Sequence, residues 1–190
     1  MRIGVLALQG DVREHSAVIS ALGHEAVPVR RAVELDTIDA LVIPGGESTT
    51  IGKLADRYGL VEPLQKHIRS GLPVLGTCAG MIFLASGTTE ERPQIQLGVL
   101  DVTVRRNAFG RQVDSFEAEL EVAGIEGPVH AVFIRAPWIA EHGPGVEVLA
   151  AVDGHPVVVQ QGSVLATSFH PELTGDGRLH SLLIDLVQER

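Results

Sequence analysis

The sequence predicts a three-layer α/β domain, a mixed sheet flanked by helices, on two observations. In the first half, apolar runs of strand length alternate with amphipathic runs of helix length, the rhythm of β–α crossovers. In the second half, short apolar-rich runs follow one another between Gly and Pro, the rhythm of added antiparallel strands. Length and composition agree: 190 residues, 45% hydrophobic and 21% charged, suit one domain with a real core. No internal repeat, low-complexity tract or interdomain linker interrupts residues 1–190.

Ile3–Leu8 reads as the first strand, and Val12–Leu22 as a helix with Val12, Ile19 and Leu22 apolar among polar residues. Ala26–Val29 is the second strand, followed by a short link bearing Glu and Asp. Ala40–Ile43 is a buried strand. Thr50–Tyr58 and Glu62–Arg69 are helices, the second stopped by Gly71. Pro73–Leu75 is a strand and Met81–Ala85 a helix. Val99–Arg105, Phe116–Val122, Val129–Ile134, Val146–Val152, Val157–Gln161 and Ser163–Ser168 are short strands. Gln161-Gly162 makes a tight hairpin between the last two. Arg178–Arg190 closes as a helix with Leu179, Leu182, Leu183, Leu186 and Val187 on one face.

Charge and cysteine usage exclude several classes. A net charge of −9 argues against a broad nucleic-acid surface, which needs clustered Lys and Arg. One cysteine rules out an internal disulfide, and Met1-Arg2 runs straight into a strand with no signal peptide, so a cytoplasmic protein is expected. Residues 71–89 carry no charge and approach the length of a membrane span. Pro73, glycines at 71, 76, 80 and 87, and threonines at 77, 88 and 89 interrupt that run, so strand–turn–helix explains it and no membrane is expected. The histidines at 15, 24, 67, 130, 142, 155 and 180 are scattered without metal-ligand spacing, so neither a metal nor a cofactor is expected. An interface or positioning role is open for His15, and the rest read as surface residues.

Three segments carry chemistry. Gly76-Thr77-Cys78-Ala79-Gly80 sets the single cysteine between a strand and a helix, the place of a nucleophile on a sharp turn. Taken alone, that cysteine serves equally well as a small buried hydrophobe. In Phe169-His170-Pro171-Glu172, His170 ends a strand, and Pro171 biases it toward extended geometry. His170 and Glu172 then share a side, so the carboxylate can hold the imidazole while its other nitrogen faces a thiol. In Pro44-Gly45-Gly46-Glu47-Ser48, paired glycines after a buried strand let backbone N–H groups approach a ligand, as an oxyanion hole requires. The spacing of a phosphate loop is absent, and Glu47 at the tip would repel phosphate. An ordinary tight turn remains the plain alternative.

Together, Gly45–Thr50, Gly76–Gly80 and His170–Glu172 resemble the class I (triad) glutamine amidotransferases. Arg105–Glu117, Phe133–Pro137, Ile3–Gly10 and the trio Arg13-Glu14-His15 narrow the resemblance to the glutaminase subunits of pyridoxal 5′-phosphate synthase. The likeness spans essentially the whole chain. It implies a flavodoxin-like three-layer domain and a catalytic triad of Cys78, His170 and Glu172. It further implies an oxyanion hole from Gly46 and Ala79, and a glutamine pocket of Gly46, Glu47, Ser48, Arg106, Ile134 and Arg135.

The implied reaction is hydrolysis of L-glutamine to glutamate and ammonia through a γ-glutamyl thioester. The implied partner is a separate (β/α)8-barrel synthase, twelve copies of each chain assembling, with ammonia passed internally. Two rivals remain: a glutaminase of another pathway, such as histidine biosynthesis, and a noncatalytic regulatory subunit with an inert Cys78. A cysteine protease on a related framework is more distant.

Overall fold

The computed structural model describes residues 1–91, 93–106 and 115–189. The stretch from Asn107 to Asp114, which carries much of the subfamily resemblance, therefore lies outside the described residues, as does Arg190.

Seven strands form the main sheet. In chain order they are β1 (Arg2–Leu6), β2 (Glu25–Val29), β3 (Ala40–Ile43), β4 (Val74–Thr77), β10 (Glu147–Val152), β11 (His155–Gln161) and β12 (Val164–Thr167). Their spatial order is β10-β11-β12-β4-β3-β1-β2. The five from β12 to β2 run parallel, and β11 and β10 extend the sheet antiparallel. β12 therefore leaves a hairpin at Gly162, whose φ of 55° suits the expected turn, and slots in beside β4. A second sheet joins β5 (Ala85–Thr88), β6 (Leu100–Arg105) and β9 (Trp138–His142). A two-stranded ribbon joins β7 (Ser115–Leu120) and β8 (Val129–Ile134).

Side-chain alternation splits the core into two layers across the main sheet. Leu6, Leu41, Ile43, Val74, Val164 and Ala166 pack on one face. Ile3, Val5, Ala40, Val42, Leu75 and Leu165 pack on the other. The first face is covered by α3 (Ser48–Arg57), α4 (Val61–Arg69) and α5 (Ala79–Leu84) through Ile51, Ala55, Leu64, Ile68 and the apolar run of α5. The second is covered by α1 (Val12–Ala21), α6 (Arg178–Gln188) and the β7–β8 ribbon through Ile19, Leu179, Leu183 and Phe133. This is the expected three-layer α/β arrangement. Among the described residues, no helix is long and apolar enough to cross a membrane.

Four elements differ from expectation. Pro171–Leu173 forms a 3-10 turn instead of extended chain, yet Glu172 still returns to His170. The link after β2 contains a helical turn, α2 (Ala32–Leu35), because Glu34 accepts from the backbone N–H groups of Arg30 at 2.6 Å and Arg31 at 2.9 Å. The elbow helix begins at Ala79 and ends at Leu84, and Ala85 starts β5 instead of closing the helix. β9 lies in a stretch where Pro137, Glu141 and His142 obscure any apolar alternation; pairing with β6 makes it a strand.

Candidate active site

The segments that follow the parallel strands converge at the carboxyl edge of the sheet, where open α/β sheets bind ligands. There a cavity of about 390 Å³ is lined by Gly46, Glu47 and Ser48 after β3, and by Cys78 and Ala79 after β4. Arg106 after β6, Ile134 and Arg135 at the end of β8, and His170 after β12 complete the set expected from sequence. Glu172 alone of that set does not line it; it stands behind His170, 6% exposed.

Cys78 is held at φ 47° and ψ −102°, outside the regions a non-glycine residue prefers, with its N–H donated to Thr167 O at 2.8 Å. This is the sharp turn expected of the elbow. It needs its flanking glycines: a Cβ on Gly80 would collide with the Ile43 carbonyl, and one on Gly76 would lie 2.8 Å from the Gly80 carbonyl carbon. Ala79 opens α5, so its N–H has no acceptor within the helix and remains available at the cavity. Gly46 lies across from it at φ 152°.

Glu47 caps α3. It accepts the N–H of Thr50 at 2.8 Å and its hydroxyl at 2.9 Å, the N–H of Thr49 at 3.3 Å and the Thr49 hydroxyl. Partial burial opposes its ionisation, but those bonds win and hold its carboxyl at about 2. Its Oε1 also meets Arg106 Nη2 at 3.0 Å, and its N–H is donated to Gln9 Oε1 at 2.7 Å.

His170 Nδ1 faces Glu172 Oε1 at 2.7 Å and Asp11 Oδ2 at 3.3 Å. Its backbone N–H is donated to Val132 O at 3.0 Å, which ties it to β8. Burial disfavours the imidazolium, yet hydrogen bonds with Asp11, Cys78 and Glu172 outweigh it and raise His170 above its ordinary range. Burial in turn raises Glu172, against the opposing pull of His170. The bond with His170 lowers Asp11, against its own burial. Among the described residues, Asp11, His170 and Glu172 offer ligand atoms within 4.8 Å of one another, the spacing of a metal site. Both carboxylates, however, already share the one Nδ1 position.

Sequence reasoning missed Gln9, Asp11, Ile82 and Leu173, which also line the cavity. Gln9 and Asp11 follow β1, and their position after a parallel strand was the available signal. It also misplaced His180 and left open the place of His15. His180 is 1% exposed, not a surface residue, and His15 is 0% exposed, because α1 and α6 turn both inward behind the triad candidates. Burial first, and the neighbouring His180 and His170 next, keep His15 well below its ordinary range. Burial brings His180 to about 4.

A depressed folded value means that the unfolded chain takes the proton first as pH falls. His180 therefore contributes stability above pH 6.5, its unfolded value, and that contribution fades as pH drops toward about 4. The full loss is about 3 kcal/mol. Thermal melts between pH 7 and 4.5 should show Tm falling with pH, more steeply than in a His180→Phe variant.

A family model described as the SNO glutamine amidotransferase family matches residues 5–189. The chain belongs to the SNO glutamine amidotransferase family. Among its relatives, the pyridoxal 5′-phosphate synthase subunit PdxT of Mycobacteroides abscessus is 59% identical over 187 residues, covering 98% of this chain and 97% of the relative. The protein of the same name from Frankia alni is 60% identical over 189 residues, covering 98% and 95%. A solved glutamine amidotransferase superposes with TM-score 0.94 at 54% identity, covering 98% of both chains. PurLQS from Thermotoga maritima, TM-score 0.68 at 16% identity over 97% of both chains, shares the fold alone. The elbow and the His170–Glu172 pair of this SNO glutamine amidotransferase thus lie on a glutamine amidotransferase framework.

Proposed function

We propose that the chain is the glutaminase subunit of a pyridoxal 5′-phosphate synthase, a single-domain cytoplasmic protein that passes ammonia to a synthase partner. The observation that carries the reading is the 2.7 Å His170–Glu172 contact behind a cavity lined by the strained Cys78. The relatives named as synthase subunits, matched over nearly their full length, support the pathway.

In this reading His170 takes the Cys78 proton, and the thiolate attacks the carboxamide carbon of glutamine. Backbone N–H groups of Gly46 and Ala79 receive the oxyanion. His170 returns the proton to the leaving nitrogen, which departs as ammonia and leaves a γ-glutamyl thioester. Water, activated by the same imidazole, adds to the thioester, and the Cys78 thiol leaves as glutamate forms. Glu172 keeps the imidazole oriented and supports its charge without taking its proton. Arg106 and Arg135 supply cations for the α-carboxylate, and Glu47, ionised at all working pH, an acceptor for the α-ammonium. Ser48 and Ile134 complete the pocket wall.

The partner in this reading is a (β/α)8-barrel synthase, with twelve copies of each chain in the assembly. Glutamate release, measured with the chain alone and in the presence of the barrel synthase, tests it. Strong stimulation by the barrel is expected. High activity without the barrel would remove the coupling, and none in either condition, with docking verified, would favour a regulatory role.

A further inference from the structure

A chain of buried polar groups continues past the triad candidates, and the proposed reaction does not use it. Glu172 turns Oε1 toward His170, while Oε2 is buried without a hydrogen bond among the described residues. The titratable atom facing Oε2 is His15 Nε2 on α1, at 3.4 Å. The same Nε2 lies 3.2 Å from Thr77 Oγ1, the residue before Cys78. On its other side, His15 Nδ1 meets His180 Nε2 on α6 at 2.8 Å. Among the described residues, His180 Nδ1 is buried with no partner.

These contacts select the tautomers. A neutral imidazole carries one N–H. With the proton on His15 Nε2, the N–H is donated to Thr77 Oγ1 beside the carboxylate, and Nδ1 accepts from His180 Nε2–H. The opposite assignment sets a lone pair against Glu172 Oε2 and strands an N–H at His180 Nδ1, at the full cost of an unmade hydrogen bond. The polarity therefore runs one way, from His180 through His15 toward Thr77 and Glu172, and the carboxylate accepts from His170 on its other side.

We infer that His15, its tautomer set by His180, is a positioning residue that fixes the Glu172 carboxylate and keeps it ionised for His170. The inference rests on the triad reading above. The Nε2–H, donated to Thr77 Oγ1, lies beside Oε2, with the nitrogen 3.4 Å away, and its dipole favours the charged carboxylate, in which form Glu172 accepts from His170. The other groups facing Glu172 cannot do this: Asp11 is a second anion, and Arg13 and Glu14 border only the outer groove that Glu172 also touches. Bridging α1, β4 and α6, the pair also locks the carboxylate's rotation, so Oε1 stays on the imidazole.

The test is kcat and KM for glutamine against pH, with the synthase partner present, for wild type, His15→Leu, His15→Gln and Cys78→Ala. His15→Leu is expected to lower kcat about 10–100-fold, as for lost outer supports of a catalytic group. KM should hold, and the acid limb should move up about one pH unit as Glu172 loses the neighbouring N–H dipole. His15→Gln, which returns an amide N–H near the Nε2 position, should recover most of both. Equal losses in the Leu and Gln variants, or an unmoved acid limb in His15→Leu, would reduce His15 to packing and overturn the inference.

If His15→Leu does not fold, His180→Phe decides. Without its donor to Nδ1, the limb should move in the same direction, and an unmoved limb overturns the inference. A wild type that releases no glutamate, or an active Cys78→Ala, overturns the triad reading and this inference with it. An active wild type, an inactive Cys78→Ala and unmoved limbs overturn this inference alone.

Discussion

Replacing Cys78 with alanine is expected to cut glutamate release by more than about 10⁴-fold, the scale at which removal of a covalent nucleophile is felt. The fold should survive, because alanine keeps a Cβ at the same strained φ of 47° and loses only one sulfur from a site that is 7% exposed. Unchanged Tm beside absent turnover is the result that assigns the chemistry to the thiol. A variant that retains substantial partner-dependent activity would end the assignment. Alkylation of wild-type Cys78, slowed by glutamine, is the independent check, since an inert buried cysteine shows neither reaction nor protection.

The second large effect falls on structure. Gly80→Ala should lower Tm steeply, since the new Cβ would press into the backbone carbonyl of Ile43, which no rotamer change can move aside. Separating α5 from β3 costs about 3 kcal/mol, or roughly 6–12 °C in Tm for a chain of this size. Gly23→Ala makes the control. Its φ of 82° also strains alanine, but nothing lies within 4 Å of the added Cβ. Thermal denaturation separates the two: losses of equal size would mean that backbone strain, not the α5–β3 approach, dominates at Gly80.

How much of this was legible in the sequence depended on how local the physics was. The parallel strands read cleanly because both faces are covered, so β3 is an unbroken apolar run and β4, Val-Leu-Gly-Thr, is buried at every position. The elbow read cleanly because spacing within a few residues sets its geometry; the His170–Glu172 pairing was also legible, although a 3-10 turn and not extended chain brings the two together. β9 did not, since its pairing with β6 is settled by residues distant in the chain. α2 did not, because one carboxylate, Glu34, nucleates a turn in a segment of weak periodicity. Asp11 and Gln9 acquire meaning only when β1 is placed beside β3. His15 and His180 sit on helices whose polar residues mostly face water, and only the docking of α1 and α6 turns these two inward.

The strand order carries a consequence for how the molecule is made. β12, the last strand of the sheet in chain order, does not add to an edge but occupies an interior slot between β11 and β4. Thr167 pairs with Thr77, so the strand that ends at the proposed base is threaded in register beside the strand that ends at the proposed nucleophile. As the polypeptide leaves the ribosome, Cys78 emerges long before His170 and waits without a general base. Such distant pairings form late. Catalytic competence is thereby tied to completion of the sheet, and a chain that stops short of β12 carries a quiet thiol.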